Sequence, residues 1–115
     1  MKIKTSEAFG LVLDYLVAKA EGLCVEVYEN GDVWVKTSHG LIRTGYINAF
    51  SYSTDWGLAG PIIEREKISV LDNGEGWRAY TNAIAFGITP LIAAMRCYCI
   101  AKFGHEAEVP EELMK

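Results

Sequence analysis

The chain lacks most of what announces a catalytic or nucleic-acid-binding protein. Its two histidines, His39 and His105, are isolated from each other, and its three cysteines, Cys24, Cys97 and Cys99, show no metal-type spacing. An odd, unpatterned cysteine set argues against both a zinc module and a disulfide framework, and fits a reduced compartment. Cys97 and Cys99, two apart on one helix, point to nearly opposite sides and cannot chelate together. No P-loop, GxGxxG, HExxH or GxSxG run is present. The expectation is therefore no catalytic residue, no metal and no cofactor. Basic residues number 11 against 15 acidic ones, for a formal charge of -4, and they are scattered. Binding along a nucleic-acid backbone draws on clustered Lys and Arg, so long nucleic acid is excluded as a partner. A small phosphorylated ligand is not excluded, because one or two arginines and the amides of a helix N-terminus can hold it. No apolar run approaches the roughly 18 to 20 residues of a membrane span. The basic opening Met1-Lys2-Ile3-Lys4-Thr5 is followed by Glu7 and Asp14 without a cleavage site, so a cytoplasmic protein with no membrane partner is expected.

What is present suits one domain: 115 residues, half of them apolar, can bury a core. Thr5 or Ser6 caps an expected helix to about Ala20, with Phe9, Leu13, Leu16, Val17 and Ala20 as its stripe and Glu7, Asp14 and Lys19 in water. A stripe widened by Leu11, Val12 and Tyr15 suggests contact on two sides, the second being another element or another subunit. Residues 23–28 alternate, Asn30-Gly31 is a hairpin signal, and Val33-Trp34-Val35 answers it. The valines share the core face in this reading, which leaves Tyr28 and Trp34 exposed. Residues 36–50 read as irregular, with a short helical turn near 46–50. Pro61-Ile62-Ile63-Glu64 reads as a strand entry, and Ile68-Ser69-Val70 with Trp77-Arg78-Ala79-Tyr80 as a second pair of strands across the turn at 72–76. Thr89-Pro90 starts a second helix, residues 91–103, which Gly104 ends. The predicted fold class is α+β: an antiparallel sheet of about four strands, in two hairpins, packed by an N-terminal and a C-terminal helix. Residues 1–104 form the domain, and 105–115 an acidic tail.

The chemically dense stretch is residues 52–66. Ser53, Thr54 and Asp55 precede Trp56, and Gly57, Gly60 and Pro61 turn the backbone. Such a loop can satisfy itself through Asx and ST turns with Trp56 as a core plug, or line a ligand pocket with Trp56 as its wall. Arg96 sits in the middle of the most apolar helix, where a guanidinium needs carboxylate, phosphate or carbonyl partners. Asp55, Glu64 and Glu66 are the protein candidates. On a strand, Glu64 and Glu66 would project to one face, as a paired-carboxylate site or as the wet side of an edge strand.

Lys2-Ile3-Lys4-Thr5-Ser6-Glu7, Tyr52-Ser53-Thr54-Asp55-Trp56, Gly60-Pro61-Ile62-Ile63-Glu64-Arg65-Glu66, Trp77, the run from Gly87-Ile88-Thr89-Pro90-Leu91 through Arg96-Cys97-Tyr98, and Val109-Pro110 carry a resemblance over nearly the whole chain. The sequence resembles the NinX-type family of small phage and prophage proteins. Ala59 stands where members often have a second glycine. The resemblance implies a phage accessory protein working in a bacterial cytoplasm and supplies no catalytic residue. Small phage accessory proteins often counter host immunity, some by sequestering a nucleotide signal in a compact oligomer. The expected function is thus a non-catalytic module, a homo-oligomer that binds a small ligand of the nucleotide-signal kind through Ser53, Thr54, Asp55, Trp56, Thr89 and Arg96. The alternative is a protein that binds and inhibits a host protein through Tyr28, Trp34 and acidic patches, and a nucleotide-acting enzyme comes third.

Overall fold

Thr89 and Pro90 start the helix around which the molecule is built. In the computed structural model, which describes residues 1–29, 33–37, 40–43 and 51–114, the Thr89 hydroxyl accepts the Ile92 N–H at 3.1 Å and Pro90 opens helix α3, Pro90–Phe103. Gly104, at φ 86°, ends it as expected. Leu91, Ala93, Ala94, Met95, Cys97, Tyr98, Cys99 and Ile100 are all buried, so α3 is covered on nearly every side and forms the core.

Among the described residues, eight strands make three antiparallel sheets. One consists of β5 (Ser69–Asp72), β6 (Trp77–Tyr80) and β7 (Ile84–Gly87), with Val70, Ala79 and Ala85 in one row on the inner face. Those side chains are small because α3 lies close on them: a Cβ on Gly87 would stand 2.6 Å from the Ala93 nitrogen. The second sheet joins β2 (Cys24–Val27), β3 (Val33–Thr37) and β4 (Gly40–Arg43). Its register pairs Val25 with Val35 and Val27 with Val33 as expected, Val25 and Val27 are half-buried, and Trp34, expected to be exposed, is half-buried as well. Both expected hairpins form, and each gains a third strand the sequence reading did not assign. Residues 40–43, read as irregular, belong to β4, and 84–87 to β7. The Asn30-Gly31 turn, His39 and the helical turn near 46–50 lie outside the described residues.

The third sheet ties the chain ends together. Lys2–Lys4 (β1) pairs with Glu106–Glu108 (β8), the Met1 ammonium donates to Glu108 Oε1 at 3.0 Å, and Val109 is buried. The segment read as an acidic tail therefore holds a strand followed by a short helical turn, Glu111–Met114.

Two helices differ from expectation. Helix α1 runs Gly10–Ala20 and begins later than the Thr5 or Ser6 start. Thr5 is buried and committed elsewhere, its hydroxyl donating to the Gly104 carbonyl at 2.8 Å and its N–H to the His105 carbonyl at 2.9 Å. Phe9 consequently falls before the helix and is 70% exposed, while Leu13, Leu16 and Val17 face the core. Asp14, expected in water, is half-buried and accepts the Ser53 N–H.

The larger correction concerns residues 56–66, where the expected strand entry is helix α2, Trp56–Glu66. Asp55 caps it, with Oδ1 accepting the Gly57 N–H at 2.8 Å. Pro61 lies inside the helix. Its missing N–H would have bonded to Gly57 four residues earlier, whose carbonyl is also the group its ring crowds. Ala59 and Ile62 are buried at helical spacing, and Glu64 and Glu66 no longer share the face that a strand would give them.

Candidate functional site

Of the six residues singled out in the sequence, Thr54, Asp55 and Thr89 are held by bonds within a few residues, and Ser53 and Arg96 also by distant ones. The Ser51 carbonyl accepts the N–H groups of Thr54 and Asp55 at 3.1 and 2.9 Å, folding 51–55 into a turn, and the Thr54 hydroxyl reaches the same carbonyl at 3.4 Å. Ser53, almost fully buried, gives its N–H to Asp14 Oδ1 at 2.8 Å. Burial pushes the Asp14 carboxyl above its ordinary value, and the bonds from Ser53 only partly offset that. Asp55 is spent on the cap of α2, and Trp56 is 56% exposed rather than a plug in the core. Thr89 caps α3.

Arg96 is half-buried, and its partners are carbonyls: Nε donates to Ala8 at 2.7 Å and Nη1 to Phe86 at 2.9 Å. None of Asp55, Glu64 and Glu66 pairs with it: Asp55 caps α2 and Glu66 bonds to Arg65. Among the described residues Arg96 forms no ion pair, and desolvation holds the guanidinium below its usual value, with the Glu7 charge acting the other way. The hydrogen bonds fasten α3 to the start of α1 and to β7, and Nη2 makes none among the described residues.

Arg96 alone of the six borders one of the cavities described here. That cavity, about 610 Å³, lies between the 73–76 turn, β7 and the flank of α3, and its walls include Asn73, Trp77, Phe86, Ile88, Arg96 and His105. The turn is built to hold its shape: Asn73 Oδ1 accepts the N–H groups of Glu75 and Gly76 at 3.0 and 2.8 Å. Gly76 is required, since a Cβ there would stand 2.8 Å from the Gly87 carbonyl oxygen. The arrangement sets an indole, an imidazole, the Arg96 guanidinium and the Glu75 carboxylate on one concave surface of the size that small ligands occupy. It can stack a planar ring and meet a negative charge.

A second polar cluster was not found by the sequence reading. Arg65, near the end of α2, donates to Glu21 through Nη1 at 3.1 Å and Nη2 at 2.6 Å, to the Tyr98 hydroxyl at 3.1 Å, and through Nε to Glu66 at 2.7 Å. The Tyr98 hydroxyl donates to the same Glu21 carboxylate, and Lys102 stands 5.7 Å from the Tyr98 ring centre. Arg65 holds Glu21 below the ordinary carboxylate value, while burial and the carboxylate push Tyr98 well above the ordinary phenol value. A tyrosine within so apolar a helix was the available signal, since a buried phenol needs a partner. The cavity beside it, about 350 Å³, is bordered by Glu66, Thr81, Asn82, Tyr98 and Lys102. It carries one cation, Lys102, and one carboxylate, Glu66, the latter bonded to Arg65.

No described helix is long and apolar enough to cross a membrane. No curated protein matches the chain. A family model described as Bacteriophage P22, NinX matches residues 4–102, from the β1 strand through the buried length of α3, including Arg96 and the walls of its cavity up to that point. With all but the two ends covered, the chain belongs to the phage NinX family.

Proposed function

We propose that this NinX-family protein is a non-catalytic binding module for a small anionic ligand with a planar ring, of the nucleotide-signal class, serving the phage as a counter-defence sponge in the bacterial cytoplasm. The observation that supports this reading is the 610 Å³ cavity that Trp77, Arg96 and His105 all border. Stacking on the Trp77 indole recognises the ring, and Arg96 with His105 recognises the charge. The role expected of Trp56 thus passes to Trp77. Asp55 and Thr89 contribute as helix caps, and Ser53 and Thr54 as the turn that Asp14 holds.

The test is native mass spectrometry of the protein purified from defence-active, infected bacteria and from naive cells. Stoichiometric retained mass of nucleotide size, only in the first sample, is the expected result, and the same spectrum reads whether the protein is the expected homo-oligomer. Arg96→Gln and His105→Ala should each lower the retained fraction by about tenfold, the loss of one charge-assisted contact. Trp56→Ala and Thr54→Ala should leave it unchanged. A clean apo mass in both samples overturns the reading.

A second reading, inhibition of a host protein by surface contact, draws support from Tyr28, which stands exposed with its ring edge against Trp34 at 6.2 Å between centres. Loss of a stoichiometric host complex on Tyr28→Ser, with no retained small molecule, would favour it.

A further inference from the structure

The β5–β6–β7 sheet buries one face under α3 and shows the other to solvent, and that outer face has the wrong composition for water. The register places Ser69, Tyr80 and Ile84 in one row across the three strands and Leu71, Arg78 and Phe86 in the next. Ile84 is 59% exposed and Phe86 54%, Leu71 and Tyr80 are exposed with them, and Ile88, two residues past Phe86, is 82% exposed. A sheet with one solvated face ordinarily alternates apolar inside with polar outside. Here the inner face carries Val70, Ala79, Ala85 and Trp77, and four further large apolar or aromatic side chains, Leu71, Tyr80, Ile84 and Phe86, stand on the outer face. A contiguous patch of this kind marks a docking surface.

The single charge in these two rows identifies the occupant. Arg78 lies on the central strand, its guanidinium 5.5 Å from the centre of the Tyr80 ring, with Leu71 and Phe86 on either side. A second copy of the chain docking face to face about a two-fold axis through the central strand at Arg78 would bring two Arg78 side chains together in an apolar interface, where neither is compensated. A carboxylate on a different protein compensates it well, because a planar guanidinium braced on an aromatic ring presents a fixed fork. We infer that this face docks a heterologous protein partner whose surface sets one Asp or Glu among aliphatic or aromatic side chains. The face adjoins the ligand cavity, whose wall includes Ile84, Phe86 and Ile88, whereas Leu71, Arg78 and Tyr80 lie outside that wall.

A photo-crosslinking side chain placed at Phe86, at Leu71 or, away from the face, at Glu29 of the full chain in infected bacteria tests it. The expected result is one protein joined from both sheet positions and not from position 29. With that protein purified, Arg78→Glu and Phe86→Asp should each weaken binding at least about tenfold, and reversal of the partner's facing carboxylate to Arg should restore binding to Arg78→Glu. Both side chains are exposed, and unchanged circular dichroism and melting of the variants separate lost docking from lost folding. An adduct of twice the chain mass, a partner that binds both variants undiminished, or no adduct from either sheet position overturns the proposal.

Discussion

The buried hydroxyl of Tyr98 donates to Glu21, at the end of α1, while Arg65 of α2 grips the same carboxylate with two nitrogens. One carboxylate thereby joins all three α-helices. Glu21 is also the residue at which α1 stops: Gly22, at φ 82°, and Leu23 return their N–H groups to the Lys19 and Ala18 carbonyls at 3.0 and 3.1 Å. The Schellman turn fixes the backbone from which the carboxylate reaches the other helices.

Removing the donor tests the join. Tyr98→Phe keeps the ring in the core and deletes only the hydroxyl. A hydrogen bond to a charged group contributes about 1.5–3 kcal/mol, and partial solvent access to Glu21 puts the expected loss near the lower end. Denaturant unfolding measures it. Arg65→Met should cost less, because the guanidinium is half exposed and its attraction is screened. A larger loss from Arg65→Met than from Tyr98→Phe would show that the guanidinium, rather than the phenol, makes the join.

Acid separates Glu21 from Asp14. Glu21 is held below its ordinary 4.5, so its contribution to stability is present above that value and lost as pH falls through the lower folded value. Asp14 is held above its ordinary 3.8 by burial, so its contribution is fully present below 3.8 and is lost as pH rises through the higher folded value. Unfolding free energies measured from pH 7 down to pH 3 should therefore fall less steeply in Glu21→Gln than in the parent, and more steeply in Asp14→Asn. The reverse order for either variant would contradict the burial and bonding described for it.

What the sequence disclosed was local. Thr89, Pro90 and Gly104 bound α3 through contacts within four residues, and the valine pairs of the first hairpin follow from alternation. The β1–β8 pairing was not legible, because Lys2 and Glu108 meet from opposite ends of the chain. Helix α2 was missed because Pro61-Ile62-Ile63 has strand-like composition, and its helical reading depends on Gly57 lying four residues before the proline and Asp55 capping the start. Arg96 was correctly singled out as needing partners. Those partners are carbonyls of Ala8 and Phe86, and every residue carries a carbonyl, so composition could not point to them.

Lys67 ends α2 in the left-handed region, at φ 55°, where glycine is the usual residue. Its N–H and that of Ile68 close the turn on the Glu64 and Ile63 carbonyls at 3.3 and 3.0 Å. A lysine held there loses about 1 kcal/mol to its Cβ. Lys67→Gly should therefore stabilise the protein by up to about 1 kcal/mol, less whatever the freer unfolded chain takes back. Thermal melting measures it, and a lower melting temperature would show that the lysine side chain makes up the strain.

Gly60 and Gly87 make opposite predictions for one substitution. At Gly60, inside α2, an added Cβ meets nothing within 4 Å beyond its chain neighbours and its own helix, but the Pro61 ring crowds it, so Gly60→Ala should stabilise by at most about 0.5 kcal/mol, the helix-propensity gain less that crowding. At Gly87 the same methyl would stand 2.6 Å from the Ala93 nitrogen and 2.9 Å from Ile92 Cγ2. The nitrogen belongs to the first turns of α3 and cannot step aside without lifting the helix from β7. Gly87→Ala should cost about 1–3 kcal/mol, the range of overpacked cores. Because Phe86 and Arg96 meet across the same β7–α3 contact, the displaced helix should also weaken the Arg96 hydrogen bond to the Phe86 carbonyl and enlarge the cavity between them. Hydrogen exchange read against denaturant unfolding would show both effects as faster exchange in β7 and the first turns of α3. If Gly87→Ala were as stable as the parent, close packing of α3 on the sheet would not be what positions Arg96.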